Sequence, residues 1–486
     1  MSSQKSIKVN AVLNAVKTLL GIVFPFITYP YLARVIGAEL MGKTAYGNSI
    51  VAYFQLFATF GLTTYAIREL SAIRDDREKS SRMTSEFLSL SLFLSLLSYI
   101  GLCMFVFLIP QMRPYRSVIL IQGVTILFAS IGMEWMNTVY EDYLYITIRT
   151  LVMQTAFLVL LFFLVKSKAD FMTSIILTTA SSGGICVANF IHMRRYQKPF
   201  LIFSKKIFSH MRYMSVFFIN AVAIQIYVNA DTTMLGWMKG DYHVGIYGAA
   251  TKVYTATTLL VTSIYNVTIP RLSYYYGKVD KQRYFELLTK VISAVVLFLL
   301  PVVAGMFVFA DLIIFILAGK EFEPAVRTLQ ILSFAMAFAV IGGIVTQCLN
   351  VTAKREKHTA FATVITALEN ILLNLYFIRM FAQNGAAVTT LIAQATVFLY
   401  CAYKSRDLLK LLNWKNILRN ASYAMLGIVI VAGIRYMTLI LHFSEIKNLL
   451  TVPLCVIIYA IFLIAFKNPL AVEMFQKIRR KLWKQK

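Results

Sequence analysis

Charged residues are scarce in this chain, and acidic residues are the scarcest. Only 14% of its 486 residues are Asp, Glu, Lys or Arg, and the acidic ones number 22. Ordinary globular chains are about 25% charged. Because 59% of the residues are hydrophobic and the mean hydropathy is +0.69, a water-soluble protein with one compact core would leave too much apolar surface exposed. The composition excludes disordered and fibrous chains and indicates a polytopic membrane protein.

Cysteine and histidine are also few, with five of each. The cysteines lie inside apolar runs, and none is adjacent in sequence to another cysteine or to a histidine; they are Cys103, Cys186, Cys348, Cys401 and Cys455. This spacing argues against a disulfide framework and a metal site, and no nucleophile–base pair is apparent. We therefore predict no catalytic residue, metal or cofactor. The first apolar run begins near Asn10 and is too long for a signal peptide, so we expect it to remain as a membrane helix.

Long polar stretches are absent, and apolar runs alternate with short loops. A spanning helix needs about 20 mostly apolar residues. We therefore predict an all-α polytopic membrane protein with fourteen transmembrane helices. The predicted helices cover residues 10–33, 44–66, 86–109, 116–138, 143–165, 171–193, 214–238, 246–270, 288–316, 328–349, 358–380, 386–403, 420–440 and 449–466.

The net charge of +26 is concentrated in one set of loops. With the N-terminus inside, the inside segments hold 32 of the 48 Lys and Arg residues, whereas the outside loops hold 9. Because Lys and Arg are enriched in cytoplasmic loops, both termini are predicted to be cytoplasmic. In a soluble protein this charge would suggest nucleic acid as a partner. Here it sets the orientation and attracts anionic membrane lipids, so no nucleic-acid partner is expected.

A turn with two glycines five residues apart occurs twice. Gly37 and Gly42 lie between the first and second predicted helices, and Gly240 and Gly245 lie between the seventh and eighth, at an offset of 203 residues. Polar helices flank both turns, and a Tyr-Gly pair follows each one. The repeat predicts two six-helix bundles in the same orientation, related by an axis along the membrane normal.

This repeat divides the chain into four predicted segments. They are an N-terminal bundle over 1–193, a cytoplasmic amphipathic linker over 194–213, a C-terminal bundle over 214–403, and a segment over 404–486 with the last two helices and a basic cytoplasmic tail. Within the linker, the pattern of residues 200–208 predicts a helix lying in the inner membrane interface.

The first turn also matches a phosphate-binding pattern. Residues 37–44 read GAELMGKT, which fits the Walker A pattern. That pattern needs a preceding buried strand and a following helix. Here it follows a membrane helix on the predicted outer face, where no ATP is available. We therefore reject ATP binding, and the lack of a nucleotide-binding domain excludes an ATP-driven pump.

Polar side chains recur at helical spacing on the first two helices of each half. Such stripes avoid lipid and are expected to line a polar cleft. Packing through small and polar residues is the alternative, but it explains mid-membrane lysines poorly, because an unpaired ammonium is costly there. The candidate substrate-binding residues are Lys17, Arg34, Arg149, Lys252, Asn14, Asn48, Gln55, Asn220 and Tyr227. For Arg34, near a helix end, snorkelling to the interface is the alternative.

Two acids inside apolar helices are candidates for binding a coupling ion. Asp231 and Glu369 suit a proton or sodium ion, and uncoupled transport is the alternative. Asp231 and Lys252 each lie about 10 Å below the predicted outer surface on consecutive antiparallel helices, so we predict an ion pair in at least one state. Pro25 and Pro30 mark a bendable first helix, which suits alternating access.

The first-helix motif carries a likeness to a known family. Residues 25–42, PFITYPYLARVIGAELMG, preceded by Asn10, resemble the start of the bacterial polysaccharide transporters. These are the Wzx-type flippases of lipid-linked O-antigen and capsule repeat units. They belong to the multidrug/oligosaccharidyl-lipid/polysaccharide exporter superfamily. The second glycine turn and the plan of six, six and two helices extend the likeness to the whole chain.

The resemblance implies a V-shaped pair of bundles around a cationic cavity in the bacterial cytoplasmic membrane. It implies export of an undecaprenyl-pyrophosphate-linked oligosaccharide from the inner to the outer leaflet, with a polysaccharide polymerase as a further partner. Cationic side chains would neutralise the two phosphates, while the lipid tail stays in the bilayer. No single site residue is transferred from the family, because its cationic positions vary.

Three other functions compete with this interpretation. A multidrug or cation antiporter shares the fold, but its cavity is expected to be acidic and aromatic. A membrane enzyme such as a polymerase or ligase is expected to carry a large outer loop with catalytic side chains, and no predicted outer loop exceeds about eleven residues. A purely structural membrane scaffold is disfavoured by the buried charges.

Overall fold

The computed structural model describes residues 7–202, 204–440 and 445–473, together with residue 476. Within these residues most of the chain is helical, and no strand occurs. Large apolar side chains cover the outside of the helices, as at Leu108, which is 72% exposed, and Phe163, which is 70% exposed. Such a surface would aggregate in water but suits contact with lipid tails. The predicted all-α membrane protein is confirmed.

The chain divides into two compact units, Met1–Gly248 and Ala249–Lys486. The helices of the first unit are α1 Ile7–Thr59, α2 Leu62–Ile73, α3 Arg77–Leu108, α4 Arg116–Gly132, α5 Glu134–Val139, α6 Tyr143–Leu164, α7 Phe171–Met193 and α8 Ser209–Lys239. The helix α9, Asp241–Asn266, begins in the first unit and continues in the second. The other helices of the second unit are α10 Ile269–Gly277, α11 Lys281–Val308, α12 Ala310–Ala318, α13 Ala325–Gly343, α14 Glu356–Lys404, α15 Arg406–Leu409, α16 Trp414–Ile440 and α17 Glu445–Ala465, with a π-helical stretch, Ile344–Val351, after α13.

The helices long and apolar enough to cross a membrane number nine among the described residues, or ten if one bent pair counts as a single span. Two of the nine join a pair of predicted spans. The helix α1 has a non-helical residue at Gly37, and α14 has one at Ala382, where the sequence places short outside loops. The count of fourteen spans and the arrangement in two bundles therefore stay predictions.

Several predicted spans contain breaks that the apolar pattern does not reveal. The span over 116–138 breaks at Met133, whose φ of 37° separates α4 from α5. The span over 288–316 breaks at Phe309, between α11 and α12. The span over 328–349 runs into the π-helical stretch. Breaks of this kind inside a membrane leave backbone groups without intrahelical partners and often mark functional sites.

The predicted interfacial helix over residues 200–208 is wrong for its first part. The segment has no helical hydrogen bonds at Phe200 and Ile202, whose N–H groups donate instead to the hydroxyls of Ser85 and Ser89 on α3, at 3.1 and 2.8 Å. A short 3₁₀ turn, Lys205–Phe208, follows, and Phe203 lies outside the described residues. The amphipathic pattern predicts the wrong structure here because serine hydroxyls of α3 accept hydrogen bonds from the N–H groups of an extended backbone.

The two glycine turns have the same backbone geometry. Gly37 has φ 82° and ψ 174°, and Gly240 has φ 87° and ψ 178°. This region of backbone conformation is open essentially to glycine alone. Both glycines lie just before the second helix of a pair, so the sequence offset of 203 residues corresponds to a repeated local structure.

The two turns also pack against each other with the symmetry of the repeat. A Cβ added at Gly42 would overlap with the carbonyl oxygen of Asp241, and a Cβ added at Gly245 would overlap with that of Ala38. The offset of 203 residues relates Ala38 to Asp241 and Gly42 to Gly245, so the two contacts are equivalent. Glycine is required here because the backbones approach each other directly.

Reporter fusions test the predicted orientation. Fusions at residues 75, 205, 280 and 410 should report a cytoplasmic position, and fusions at 40, 241 and 383 should report an outside position, because the basic loops fix the cytoplasmic side. Alkaline phosphatase and green fluorescent protein give opposite signals on the two sides and serve as mutual controls. One inverted fusion in the series would contradict the fourteen-helix topology.

Candidate functional site

Two predicted cations of the first unit meet at one carboxylate. The Lys17 Nζ atom of α1 lies 2.7 Å from Glu134 Oε1, and the Arg149 Nη2 atom of α6 lies 3.8 Å from the same oxygen. Glu134 is the first residue of α5 and follows the break at Met133. The helix break thus places a carboxylate between two cations, and the trio carries one net positive charge.

The Arg149 guanidinium is the buried member of this cluster. Its side chain is 5% exposed, against 36% for Lys17 and 46% for Glu134. It donates to Asn189 Oδ1 on α7, which also accepts from Asn137 Nδ2 at 3.0 Å. Within the described part of the chain, Arg149 Nε has no hydrogen-bond partner. The arginine is therefore fixed in position, and its Nε–H group makes no hydrogen bond within the described residues.

A polar corner outside the spans anchors α6 and so positions Arg149. Asp142 Oδ2 accepts from the Tyr196 hydroxyl at 2.7 Å and lies 3.0 Å from His192 Nε2. Burial opposes the charge of Asp142, but the hydrogen bonds from Tyr196 and His192 outweigh it and lower the pKa of this carboxyl. One turn into α6, Thr147 Oγ1 donates to the Leu13 carbonyl of α1 at 3.1 Å. These contacts fix α6 against α1 near the cluster.

The other candidates on α1 lie away from this cluster. Arg34 is exposed and donates to the Pro30 carbonyl at 3.0 Å, about 25 Å along the helix from Lys17 at 1.5 Å per residue. Asn14 and Asn48 are exposed, and Gln55 is half-buried. The structure therefore brings Lys17 and Arg149 together but leaves Arg34 apart from them.

The candidates on α8 have mixed surroundings. Asp231 is buried and accepts from the Tyr247 hydroxyl at 2.8 Å, and Tyr227 is half-buried. The side chain of Asn220 lies outside the described ones. Lys252 is an exposed residue of α9 in the second unit, and its pairing with Asp231 stays a prediction.

Glu369 of the second unit lies on α14 in a polar group of side chains. Its Oε1 atom accepts from Thr396 Oγ1 at 3.2 Å, while Oε2 is buried without a hydrogen-bond partner among the described residues. One helical position further, Asn370 Oδ1 accepts from Asn374 Nδ2 at 3.0 Å, and Asn374 Oδ1 accepts from Thr389 at 2.6 Å. The role of Glu369 in binding a coupling ion stays a prediction. No group of three or more metal-ligating acidic, His or Cys side chains occurs among the described residues.

Sequence reasoning missed the centre of the first cluster. Glu134 lies inside the predicted span 116–138 and was not among the candidate residues, although an acid within a membrane helix is by default a functional candidate. Asn189 was missed as well, because an isolated Asn in an apolar helix is explained equally well by packing. The sequence therefore contains the information that predicts Glu134 as a candidate, whereas the contact between Asn189 and Arg149 follows only from the fold.

The chain is similar to two known families and to curated proteins. A sequence profile described as "Polysaccharide biosynthesis protein" matches residues 7–275, and one described as "MatE" matches residues 217–378. The "Putative O-antigen transporter" of Shigella dysenteriae is 22% identical over 381 residues, which cover 78% of this chain and 94% of that protein. The "Probable low-salt glycan biosynthesis flippase Agl15" of Haloferax volcanii is 29% identical over 202 residues, which cover 41% of each chain.

Solved structures share the fold. The lipid II flippase MurJ in an inward closed conformation matches with a TM-score of 0.75 and 16% identity, over 94% of this chain and 99% of that one. An inward-facing multidrug resistance MATE family transporter of the MOP superfamily matches with a TM-score of 0.59 and 13% identity, over 81% and 96%. Because the first profile covers more than half of the chain, this multi-pass membrane protein belongs to the polysaccharide biosynthesis protein family.

Proposed function

We propose that this protein is a flippase that moves an undecaprenyl-pyrophosphate-linked oligosaccharide repeat unit from the inner to the outer leaflet of the bacterial cytoplasmic membrane. It does so by alternating access through a cationic central cavity. The observation that carries the proposal is the cluster of Lys17 and Arg149 on one carboxylate, which leaves a net positive charge inside a membrane helix bundle. Buried net charge in a membrane is costly and is retained for a function.

The chemistry of the cluster suits a lipid diphosphate. Arg149 supplies fixed guanidinium donors, and Lys17 supplies a more exposed ammonium. Charge-assisted hydrogen bonds from such groups are the ones that phosphate oxygens accept best. Arg34 and Lys252 add cations elsewhere along the path. Asn14, Asn48, Gln55, Asn220 and Tyr227 donate to and accept from sugar hydroxyls, while the lipid tail stays in the bilayer.

The relatives support the cargo class. One is named as an O-antigen transporter and another as a glycan biosynthesis flippase, and the structure with the same fold is a lipid II flippase. These cargoes share a polar glycan on a lipid. A transporter of this kind delivers its cargo to outer-leaflet enzymes, so a polysaccharide polymerase is the expected partner on the outer side.

Alternating access requires that the two glycine turns separate and close. We infer that their direct backbone contact at Gly42 and Gly245 lies at the predicted outer end. Pro25 and Pro30 lie within α1 between this contact and Lys17. Prolines remove helical hydrogen bonds and allow a helix to bend, so α1 is the element that links the cationic cluster to the closed turns.

Coupling to a proton or sodium ion is assigned to Asp231 or Glu369. Asp231 is buried against the Tyr247 hydroxyl, and Glu369 Oε2 is a buried carboxylate oxygen without a hydrogen-bond partner among the described residues. An acid within a membrane helix is a functional candidate by default.

An ion-coupled multidrug antiporter is the second candidate. It is favoured by the match of residues 217–378 to the "MatE" profile and by the shared fold with a multidrug transporter. The two functions differ in the charge of the cargo, because drug cations would be repelled by a cluster with net positive charge.

Deletion of the gene in the bacterium that carries it separates the two functions. We expect surface polysaccharide to disappear and the undecaprenyl-pyrophosphate-linked repeat unit to accumulate, because the repeat unit stays in the inner leaflet. A plasmid copy should restore both, and drug susceptibility should not change. Normal polysaccharide together with raised drug susceptibility would instead establish the antiporter.

A further inference from the structure

Glu134 has an unusual position for an acid in a site that receives an anion. Its Oε1 atom contacts Lys17 Nζ at 2.7 Å and lies 3.8 Å from Arg149 Nη2. Both cations that the proposed function assigns to the diphosphate are therefore already occupied by a carboxylate. A phosphate group reaching the same donors has to displace this carboxylate.

The burial of the three side chains indicates that displacement is feasible. Glu134 is 46% exposed and Lys17 is 36% exposed, so a ligand can reach the contact between them. Arg149 is 5% exposed and stays anchored through Asn189 whether or not Glu134 is present. Its Nε atom is buried and has no hydrogen-bond partner in the described part of the chain. Two donors of one guanidinium recognise a phosphate as a pair of parallel hydrogen bonds.

The position of Glu134 on the chain gives it freedom to move. It begins the six-residue helix α5, directly after Met133, whose φ of 37° interrupts the helix. The carboxylate is thus attached to a short segment rather than to the middle of a long helix.

We propose that Glu134 is an exchangeable counter-ion. It neutralises Lys17 and Arg149 in the empty transporter, yields them to the lipid diphosphate during binding, and returns to expel the diphosphate after transport. This inference rests on the proposed function. It explains why a site for an anion contains an acid: without the carboxylate, two cations would lack compensation in the empty state, and the diphosphate would be held too tightly for release.

Binding of a prenyl diphosphate to the purified full-length protein in lipid nanodiscs tests the inference. The probe is geranylgeranyl diphosphate, with geranylgeraniol as the uncharged control. We expect Glu134→Gln to bind the diphosphate about tenfold more tightly than the wild type, because the competing charge is gone. Lys17→Ala should bind it more weakly, and transport of the repeat unit by Glu134→Gln should be slower, because release is impaired.

The matched control is Glu141→Gln. Glu141 is a second carboxylate of the same unit, but it pairs with Arg74 at 3.1 Å and not with the two cations of the cluster. Its substitution should leave diphosphate affinity unchanged. If Glu134→Gln does not fold, Glu134→Asp, which keeps the charge on a shorter side chain, should bind the probe more tightly than the wild type.

The outcomes separate this inference from the proposed function. If the wild type binds geranylgeranyl diphosphate but folded Glu134→Gln binds it equally or more weakly, the carboxylate is a structural partner and the counter-ion role is wrong. The same conclusion follows if Glu134→Asp, used in its place, fails to bind more tightly. If neither the wild type nor any variant binds the diphosphate above the level of geranylgeraniol, the proposed function itself is wrong.

Discussion

Substituting Gly42 or Gly245 with alanine is expected to abolish transport while leaving the protein in the membrane. Each new Cβ would overlap with a backbone carbonyl oxygen, that of Asp241 for Gly42 and that of Ala38 for Gly245. A backbone atom cannot rotate away as a side chain can, so the two turns are forced apart. Since overpacking costs about 1–3 kcal/mol, transport should fall by about 5- to 150-fold.

The symmetry of the contact allows the two variants to be compared directly. Both single variants should fail to a similar degree, because the two contacts are related by the repeat. Gly305→Ala is the matched control, since a Cβ at that position of α11 has no neighbour within 4 Å. Repeat-unit transport is measured in cells with matched protein levels. Normal transport by either Gly42→Ala or Gly245→Ala would show that the turns need no close approach during the cycle.

Lys17→Ala is expected to abolish surface polysaccharide without loss of protein from the membrane. The substitution removes the exposed cation of the cluster and leaves Glu134 paired with Arg149 alone. A hydrogen bond to a charged group contributes about 1.5–3 kcal/mol, so transport should fall by about 10- to 100-fold. Lys17→Arg keeps the charge and should retain part of the activity.

The control for Lys17→Ala is the same substitution at Lys79, a lysine that lies outside the predicted spans. Lys79 pairs with Asp76 at 3.0 Å and has a 76% exposed side chain, so Lys79→Ala removes a cation without affecting the cluster. It should leave transport unchanged, because exposed pairs contribute little. Full activity of Lys17→Ala at matched protein level would reduce Lys17 to a packing or snorkelling residue.

The membrane fold was predictable because its cause lies in composition and periodicity. Apolar runs long enough to span a bilayer leave little choice but helices, and the predicted all-α class is confirmed. The turns were predictable for a different reason. Gly37 and Gly240 adopt a backbone conformation that essentially glycine alone allows. The presence of glycine at these two positions therefore indicates the turns.

The helix breaks and the linker could not be predicted in the same way. Met133 is an ordinary helix former, and its left-handed conformation is imposed by the tertiary structure. Likewise, Phe200 and Ile202 have an amphipathic pattern, but the hydroxyls of Ser85 and Ser89 hold them extended. In both cases the deciding partner is distant in sequence.

The candidate site was predicted in part. Lys17 and Arg149 were chosen because cations within apolar spans are costly, and the fold brings them to one carboxylate. The same rule applied to acids would have found Glu134. Glu134 lies on a span without a polar stripe, so the stripes on the first two helices of each half do not indicate it. The common partner of Lys17 and Arg149 follows only from the packing of α1, α5 and α6.

Transport by the purified protein in liposomes tests the central claim most directly. The liposomes contain undecaprenyl-pyrophosphate-linked oligosaccharide, and the glycan that reaches the far leaflet is measured with a membrane-impermeant glycosidase. In liposomes with the wild type, we expect the glycan that starts in the inner leaflet to become accessible to the glycosidase. In liposomes with Lys17→Ala, we expect the same accessibility as in protein-free liposomes. Equal accessibility with the wild type and without protein, in liposomes where the wild type extrudes a cationic drug, would contradict the proposed flippase.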